Sequence, residues 1–325
     1  MKIEKKIKDK FLKLNSFIVT THIDPDGDAI GSQLLLGRLL KKMNKKVVMV
    51  NVDSTPSNLK FLPGVKSIKL SRDYRIDLNK FDALVALDIA NPQRVREMSE
   101  VISSAKYVIN IDHHISNSNF GDLNWVERDV SCVGEMVYRL YGYMGLELDY
   151  KDALLSYVAI ATDTGYFRHN NTTSETHRIA ASLLGKGVNP STVYSELFEN
   201  KSFSKMRILA YALSNLEERD GMAWVDISKK VLKESSAKRE ELEGLIDFIK
   251  TLGGIKVAMV FQELDNGIIK IGFRSKDNKV DVNKIAAIFG GGGHKMASGC
   301  RVKGALLDVK KRVLARVAEY LKKGQ

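Results

Sequence analysis

The chain has 325 residues, 44% hydrophobic and 28% charged, with 51 Lys+Arg against 39 Asp+Glu and a net charge of +12. Such values suit a globular protein of two ordinary domains and argue against a disordered chain, and no apolar run reaches the roughly 20 residues that cross a bilayer. Cys132 and Cys300 lie far apart without metal-type spacing, which argues against a disulfide framework or a thiolate zinc site; both read as half-buried thiols.

The opening "MKIEKKIKDKFLKLN" sets Ile3, Ile7, Phe11 and Leu14 at helical spacing among charges, so it reads as an amphipathic helix. It has no apolar core of the kind a secretory signal needs, and a cytoplasmic address follows by default. "SFIVTTH" reads as a buried strand, and residues 28–43 as a helix with Ile30, Leu34, Leu36, Leu39, Leu40 and Met43 on its apolar face. "KKVVMVNV" is the next strand and "FLPG" a turn. "FDALVALD" is a strand, "RVREMSEVISSA" a helix and "KYVINID" a strand, followed by helical patterns in "SCVGEMVYRLYGYMG" and "KDALLSYVAIAT". This alternation predicts an α/β fold with a largely parallel sheet covered by helices.

From about residue 186 the texture changes. "NKSFSKMRILAYALSNLEERDG" reads as a connecting helix with Phe203, Met206, Ile208, Leu209 and Leu213 along one stripe. Beyond it come strands in "MAWVDIS", "IKVAMVFQEL" and "GIIKIGFRS" and a helix in "DVNKIAAIF". The glycine loop and strand of "GGGGHKMASGCRV" follow, then a terminal helix in "ALLDVKKRVLARVAEYLKK". A smaller α/β domain is expected here, with the boundary near 190–205.

In an open parallel sheet, ligands sit beyond the carboxyl ends of the strands. Here His22, Asp26 and Asp28 follow the first strand, Asp88 ends "DALVALD", and Asp112, His113 and His114 end "YVINIDHH"; Asp163 closes a helix. One such polar end is ordinary, but four make coincidence improbable. Carboxylates gathered this way repel unless cations neutralise them. Oxygen-rich ligation with a minority of imidazole suits manganese or magnesium, and a shared carboxylate would set two cations roughly 3.5–4 Å apart, as in two-metal phosphoryl-transfer sites. A helix starting near Asp28 aims its N-terminus at the same place, with Gly27 and Gly31 permitting a tight turn and close backbone approach.

In this order, "HIDPDGDAIGS", "ALD", "IDHH" and "ATDTGYF" resemble the four motifs of the DHH phosphoesterase superfamily, and "GFRSKDNKVDVNKIAAIFGGGGHKMASG" is similar to its associated C-terminal domain. Within the superfamily the likeness is to the two-domain nanoRNases. These are manganese-dependent enzymes that degrade very short oligoribonucleotides and, in many members, dephosphorylate 3′-phosphoadenosine 5′-phosphate (pAp). The resemblance implies a metal-binding catalytic domain over 1–190, a connecting helix over 191–218 and a substrate-binding domain over 219–325, with the active site in the cleft between them. It implies two Mn²⁺ per chain, with Mg²⁺ or Co²⁺ as substitutes. His22 and Asp26 would hold one cation, Asp28, His113 and Asp163 the other, and Asp88 would bridge them. His114 would stand by the scissile phosphate as a catalytic residue beside Asp88, and Asp112 would orient an imidazole. Arg274, Ser275, Gly291, Gly292, Gly293 and His294 would bind substrate as a cationic, amide-rich wall, with Arg168 as a second-tier contact and Tyr166 or Phe273 as a stacking surface for a base. Asp24 departs from the motif, where Asn is common, and reads as a surface charge.

The expected reaction is hydrolysis of a phosphodiester, or of the 3′-phosphate of pAp, by water activated between two metals. The expected partners are short oligoribonucleotides or nucleotide phosphates, with no membrane and with room for a homodimer. Within enzymes the alternatives are a linear or cyclic dinucleotide phosphodiesterase, a pAp phosphatase without RNase activity and an inorganic pyrophosphatase or polyphosphatase; outside them it is a non-catalytic nucleotide or RNA sensor.

Overall fold

The computed structural model describes residues 3–242 and 244–323. The chain divides into two compact units, Met1–Asn200 and Lys201–Gln325. In the first, α1 (Ile3–Lys13), β1 (Ser16–Thr20), α2 (Gly27–Lys42), β2 (Lys46–Asn51), β3 (Ile68–Leu70) and β4 (Ala83–Leu87) are followed by α3 (Met98–Ser103), β5 (Val108–Asp112) and β6 (Leu123–Val126). The unit ends with α4 (Val133–Met144), α5 (Tyr150–Asp163), α6 (Ser174–Gly185) and α7 (Pro190–Tyr194).

Its six strands are all parallel, in the order β3-β2-β1-β4-β5-β6. The chain winds outward from β1 to β3, then returns to β4 on the other side of β1. That reversal makes a crevice beyond the carboxyl ends of β1 and β4, the general ligand position in such sheets. Alternate residues feed two cores: Phe17, Val19 and Val85 join the apolar side chains of α2, α4 and α5, whereas Ile18, Leu84 and Ala86 pack on the opposite face with Met98 and Ile102 of α3. All five residues of β4 are therefore buried, and a strand covered on both faces reads as an unbroken apolar run.

The second unit holds α8 (Phe203–Ser214), β7 (Glu217–Arg219), β8 (Met222–Ile227), α9 (Lys229–Glu234), α10 (Leu245–Ile249), β9 (Val257–Glu263) and β10 (Ile268–Ser275). It closes with α11 (Val282–Ile288), β11 (Gly292–Gly293), β12 (Ala297–Lys303) and α12 (Leu306–Lys323). Its sheet runs β11-β12-β10-β9-β8-β7, with β8 and β9 parallel and the other neighbours antiparallel. Ile269, Ile271, Phe273 and Cys300 pack under α11 and α12; Ala223, Val225 and Ala258 pack with α8 to α10 on the other face.

Several local expectations change. The helix expected in "RVREMSEVISSA" is broken at Arg96, whose φ of 47° stops a short 3₁₀ turn over Pro92–Val95 before α3 begins. On α8, Ile208 is buried but Phe203 is 74% exposed, and Met206 and Leu213 are also exposed, so the apolar stripe is only partly used. Gly27 and Gly31 serve helix packing rather than a turn: a Cβ on Gly31 would lie 2.8 Å from the Leu155 carbonyl of α5. Both cysteines are free and buried, and the Cys132 sulfur accepts from the Glu135 amide at the start of α4. No helix among the described residues is long and apolar enough to cross a membrane.

Candidate metal centre

Each side chain of the cluster reaches the sheet's crevice because a secondary-structure element ends there. Asp26 caps α2, accepting from the Ala29 amide through Oδ1 at 3.0 Å, which leaves Oδ2 for a ligand. His22 donates from Nδ1 to the Ile23 carbonyl at 2.7 Å, and this fixes its ring with Nε2 toward the carboxylates. Asp88 is the first residue after β4 and has φ 58°, a left-handed conformation that turns its buried carboxylate across the end of the sheet. Its two oxygens face different ways: Oδ2 lies 3.3 Å from His22 Nε2, and Oδ1 lies 3.5 Å from His113 Nε2 and 3.4 Å from His114 Nδ1. His113 Nε2 is also 3.9 Å from Asp163 Oδ2, and His22 Nε2 is 4.0 Å from Asp26 Oδ1.

Donor atoms of His22, Asp26 and Asp88 thus converge within 4.8 Å of one another, and so do those of Asp88, His113 and His114. Asp88 belongs to both groups. Its Oδ1 is buried without a hydrogen-bond partner, an orphaned acceptor at the centre of a ring of imidazoles and carboxylates. Such donors fit a divalent cation of the manganese or magnesium kind. Asp28 is buried more deeply, with Oδ2 accepting from the Val133 amide and Oδ1 from the Gly134 amide, both at 2.8 Å, at the N-terminus of α4. Asp112 accepts from His114 Nδ1 at 2.8 Å and from Asn117 at 2.5 Å, so it orients the ring of His114.

The electrostatics follow from this crowding. Burial, then repulsion from Asp88, Asp163 and Asp26, holds the Asp28 carboxyl well above the usual carboxylate range. Burial followed by Asp88 and Asp26 lifts Asp163 to about 7. For His22, burial opposes the charged ring, but the bond and charge of Asp88 prevail and raise it to about 9. Burial acts to raise Asp88 as well, yet His22, His114 and His113 together keep it below the usual range. The bond to Asp112 raises His114 against its burial, whereas burial lowers His113. A cation entering here displaces protons from the raised carboxyls.

Two residues of the site had gone unread in the sequence. Asn171 donates to Asp163 Oδ2 at 3.0 Å and to the Ser131 carbonyl at 2.8 Å. Asn117 ties Asp112 to Asn110. Neither carries a periodic or motif signal. Asp24 is exposed at φ 51°, a left-handed position that Asn and Asp tolerate better than most residues, and its amide donates to Asp53 Oδ2 at 2.9 Å.

The expected substrate wall in the second unit needs correction. Ser275 is fully buried, with its hydroxyl donating to the Asp277 carbonyl, so it cannot meet a substrate. Phe273 is fully buried in the core and offers no stacking face. Arg274 points to the opposite side of β10, where Nε donates to Asp247 of α10 at 2.8 Å. The glycine run is a hairpin rather than a loop of bare amides: the N–H groups of Gly290, Gly291 and His294 donate to the carbonyls of Ala287, Ala286 and Ala297. Gly292 and Gly293 pair with Gly299 and Ser298, a register that leaves the Gly293 N–H on the outer edge of the sheet. Gly291 is glycine for packing, since a Cβ there would lie 2.2 Å from the Gly299 carbonyl. His294 is exposed beside the turn. In the first unit, Arg168 is exposed and donates from Nε to the Gly165 carbonyl at 2.7 Å, and the Tyr166 ring packs edge-on against Tyr194 and Phe198 at 5.2 Å.

Comparison with known proteins matches residues 16–162 to the family model described as "DHH family, N-terminal domain" and residues 224–323 to the "DHHA1 domain". A Thermus thermophilus protein named bifunctional oligoribonuclease and PAP phosphatase NrnA is 36% identical over 310 residues, covering 93% of this chain and 89% of that protein. The Bacillus subtilis protein of the same name is 30% identical and covers 89% and 90%. A crystal structure of an exopolyphosphatase-related protein from Bacteroides fragilis superposes with a TM-score of 0.91 at 28% identity, over 98% of this chain and 97% of that one. The fold also matches that of the manganese complex of RecJ from Thermus thermophilus, with a TM-score of 0.54 at 15% identity, over 99% of this chain and 55% of that one.

Proposed function

The chain belongs to the DHH family, and from that premise we propose that it is a phosphoester hydrolase that cleaves short oligoribonucleotides and removes the 3′-phosphate of pAp. The observation that carries the reading is the sharing of Asp88 between two donor groups, at the crevice where the strand order reverses. Full-length relatives named for both activities support the substrates.

His22 and Asp26 would hold one Mn²⁺, and Asp28, His113 and Asp163 the second, with Asp88 between them and Mg²⁺ or Co²⁺ as substitutes. Bound in that way, the cations would supply Lewis acidity that makes water a nucleophile near neutral pH and stabilises charge on the phosphoryl oxygens. The remaining work falls to side chains. Asp112 accepts from Nδ1 of His114 and favours the charged ring, and in that imidazolium form Nε2 also carries a proton to donate. Water would add to phosphorus and release a proton to solvent as the ester P–O bond breaks, and the departing oxygen would take a proton from the His114 imidazolium, which solvent then reprotonates. Asn171 keeps the Asp163 carboxylate in place during this exchange. In the second unit Arg274, already steadied at Nε by Asp247, would grip a substrate phosphate beside the Gly293 amide and His294.

The test is a parallel incubation with Mn²⁺ of a labelled diribonucleotide, a 24-mer, pAp and pyrophosphate. Turnover of the dinucleotide and pAp, with the 24-mer left intact, is expected. Turnover of pyrophosphate alone, or of nothing, overturns the assignment.

A further inference from the structure

One face of β10 and β12 carries cations that the metal centre does not use. The antiparallel register sets Arg274 opposite Ala297, Gly272 opposite Gly299, Lys270 opposite Arg301 and Ile268 opposite Lys303. The intervening residues Ile269, Ile271, Phe273 and Cys300 turn to the buried side, so Arg274, Lys270, Arg301 and Lys303 share the other side. Lys270, Arg301 and Lys303 are exposed. Arg274 has Asp247 as a partner, but neither Lys270 nor Arg301 finds a carboxylate within 4 Å among the described residues.

Like charges directly opposite one another in an antiparallel pair destabilise it, so Lys270 facing Arg301 costs the sheet stability unless an anion lies between them. The pair stands four residues from Arg274 along β10, about 13 Å at ~3.3 Å per residue. That interval is too long for one phosphate to span; Gly272 and Gly299 place no side chain in it, and Ile246 of α10 reaches over Gly272, its Cδ1 3.3 Å from where a Cβ would lie. The charge of the whole unit points the same way. Lys201–Gln325 has 25 Lys and Arg against 15 Asp and Glu, a net charge of +10, whereas Met1–Asn200 has 26 against 24, a net charge of +2. A regularly spaced polyanion is the ligand that complements cations spaced along a strand.

We propose that Lys270 and Arg301 form a second phosphate subsite, which holds the sugar–phosphate backbone of a short oligonucleotide beyond the phosphate gripped by Arg274. The inference rests on the hydrolase reading above, and it gives the protein a means of binding a pentanucleotide better than a dinucleotide without reading bases. Lys303 extends the track by one further register step.

The experiment uses the full chain and fluorescein-labelled diadenylate and pentaadenylate in EDTA, with affinity read by anisotropy. The double variant K270Q/R301Q, two exposed substitutions checked for folding by circular dichroism, should raise the Kd for pentaadenylate about tenfold more than that for diadenylate. It should also make the slope of log affinity against log salt shallower by about 1.4 for pentaadenylate, since each lost phosphate contact contributes about 0.7 on a single strand. In Mn²⁺, the ratio of KM for pentaadenylate to KM for pAp should rise by a similar factor. A ratio of the two Kd values within twofold of wild type overturns the subsite, even if pentaadenylate is hydrolysed. A wild-type protein that binds pentaadenylate through this pair but hydrolyses nothing would leave the subsite standing and remove the hydrolase reading instead.

Discussion

Asp88 carries more of the site than any other residue. It is buried, strained at φ 58°, and placed so that its two oxygens serve different partners. A buried carboxylate with an oxygen that lacks a hydrogen-bond donor is a costly arrangement in a protein without a ligand, because the desolvated charge is only partly offset by imidazoles. Asp88→Asn keeps the size and planarity of the group but removes the charge that would bridge two cations. We expect bound Mn²⁺, counted by calorimetry, to fall from two to at most one per chain. Turnover of pAp should drop by more than roughly 100-fold, which is already the upper range for residues that merely support a metal ligand. Two ions retained at wild-type affinity would show that Asp88 does not connect the sites. Asp112→Asn, which alters the support of His114 and not the donor set, should leave the count at two.

At the scale of elements, the site depends on how closely α2 and α5 approach, since α2 begins with Asp26 and Asp28 at its first turn and α5 ends on Asp163. Gly31 sits where a Cβ would press on the Leu155 carbonyl at 2.8 Å, and a backbone atom cannot move aside without moving its helix. Gly31→Val is therefore expected to destabilise the first unit by about 1–3 kcal/mol in urea unfolding and to weaken Mn²⁺ binding by separating Asp28 from Asp163. Gly37→Ala meets only the Met49 sulfur at 2.8 Å, the flexible end of a side chain, and should be nearly neutral in both measurements. Equal losses from the two variants would mean that helix spacing does not set the site. The long buried strands and the motif residues at their ends were legible in the sequence because unbroken apolar runs and bunched carboxylates are strong signals. β3 and β6 were not, since β3 buries no residue fully and β6 only alternate ones, so neither stands out from a loop. Ser275 was misread although its signal was present: on a strand it must share the face of Phe273, and a core Phe273 puts both inside. The pairing of Arg274 with Asp247, 27 residues away, follows from α10 lying over the sheet, which no local pattern encodes.

The whole molecule joins two units of different character. Every candidate metal ligand precedes residue 200, and that unit is close to neutral; the unit after it has a net charge of +10. Each has its own apolar cores, so each has the means to unfold separately. On the proposed assignment divalent cations would bind only the folded first unit and should stabilise it by mass action, about 2.7 kcal/mol for one site at a free concentration 100 times the dissociation constant. Relief of the repulsion among Asp26, Asp28, Asp88 and Asp163 is the source of that affinity. The second unit instead suffers from its own excess of positive charge, which salt screens. Scanning calorimetry should therefore resolve two transitions that respond to different additions. Mn²⁺ should raise one and leave the other in place, while KCl in the absence of Mn²⁺ should raise the second more than the first. A transition assigned to Lys201–Gln325 by limited proteolysis that climbs with Mn²⁺, while the first stays still, would place the cations on the wrong side of residue 200 and undo the convergence on Asp88.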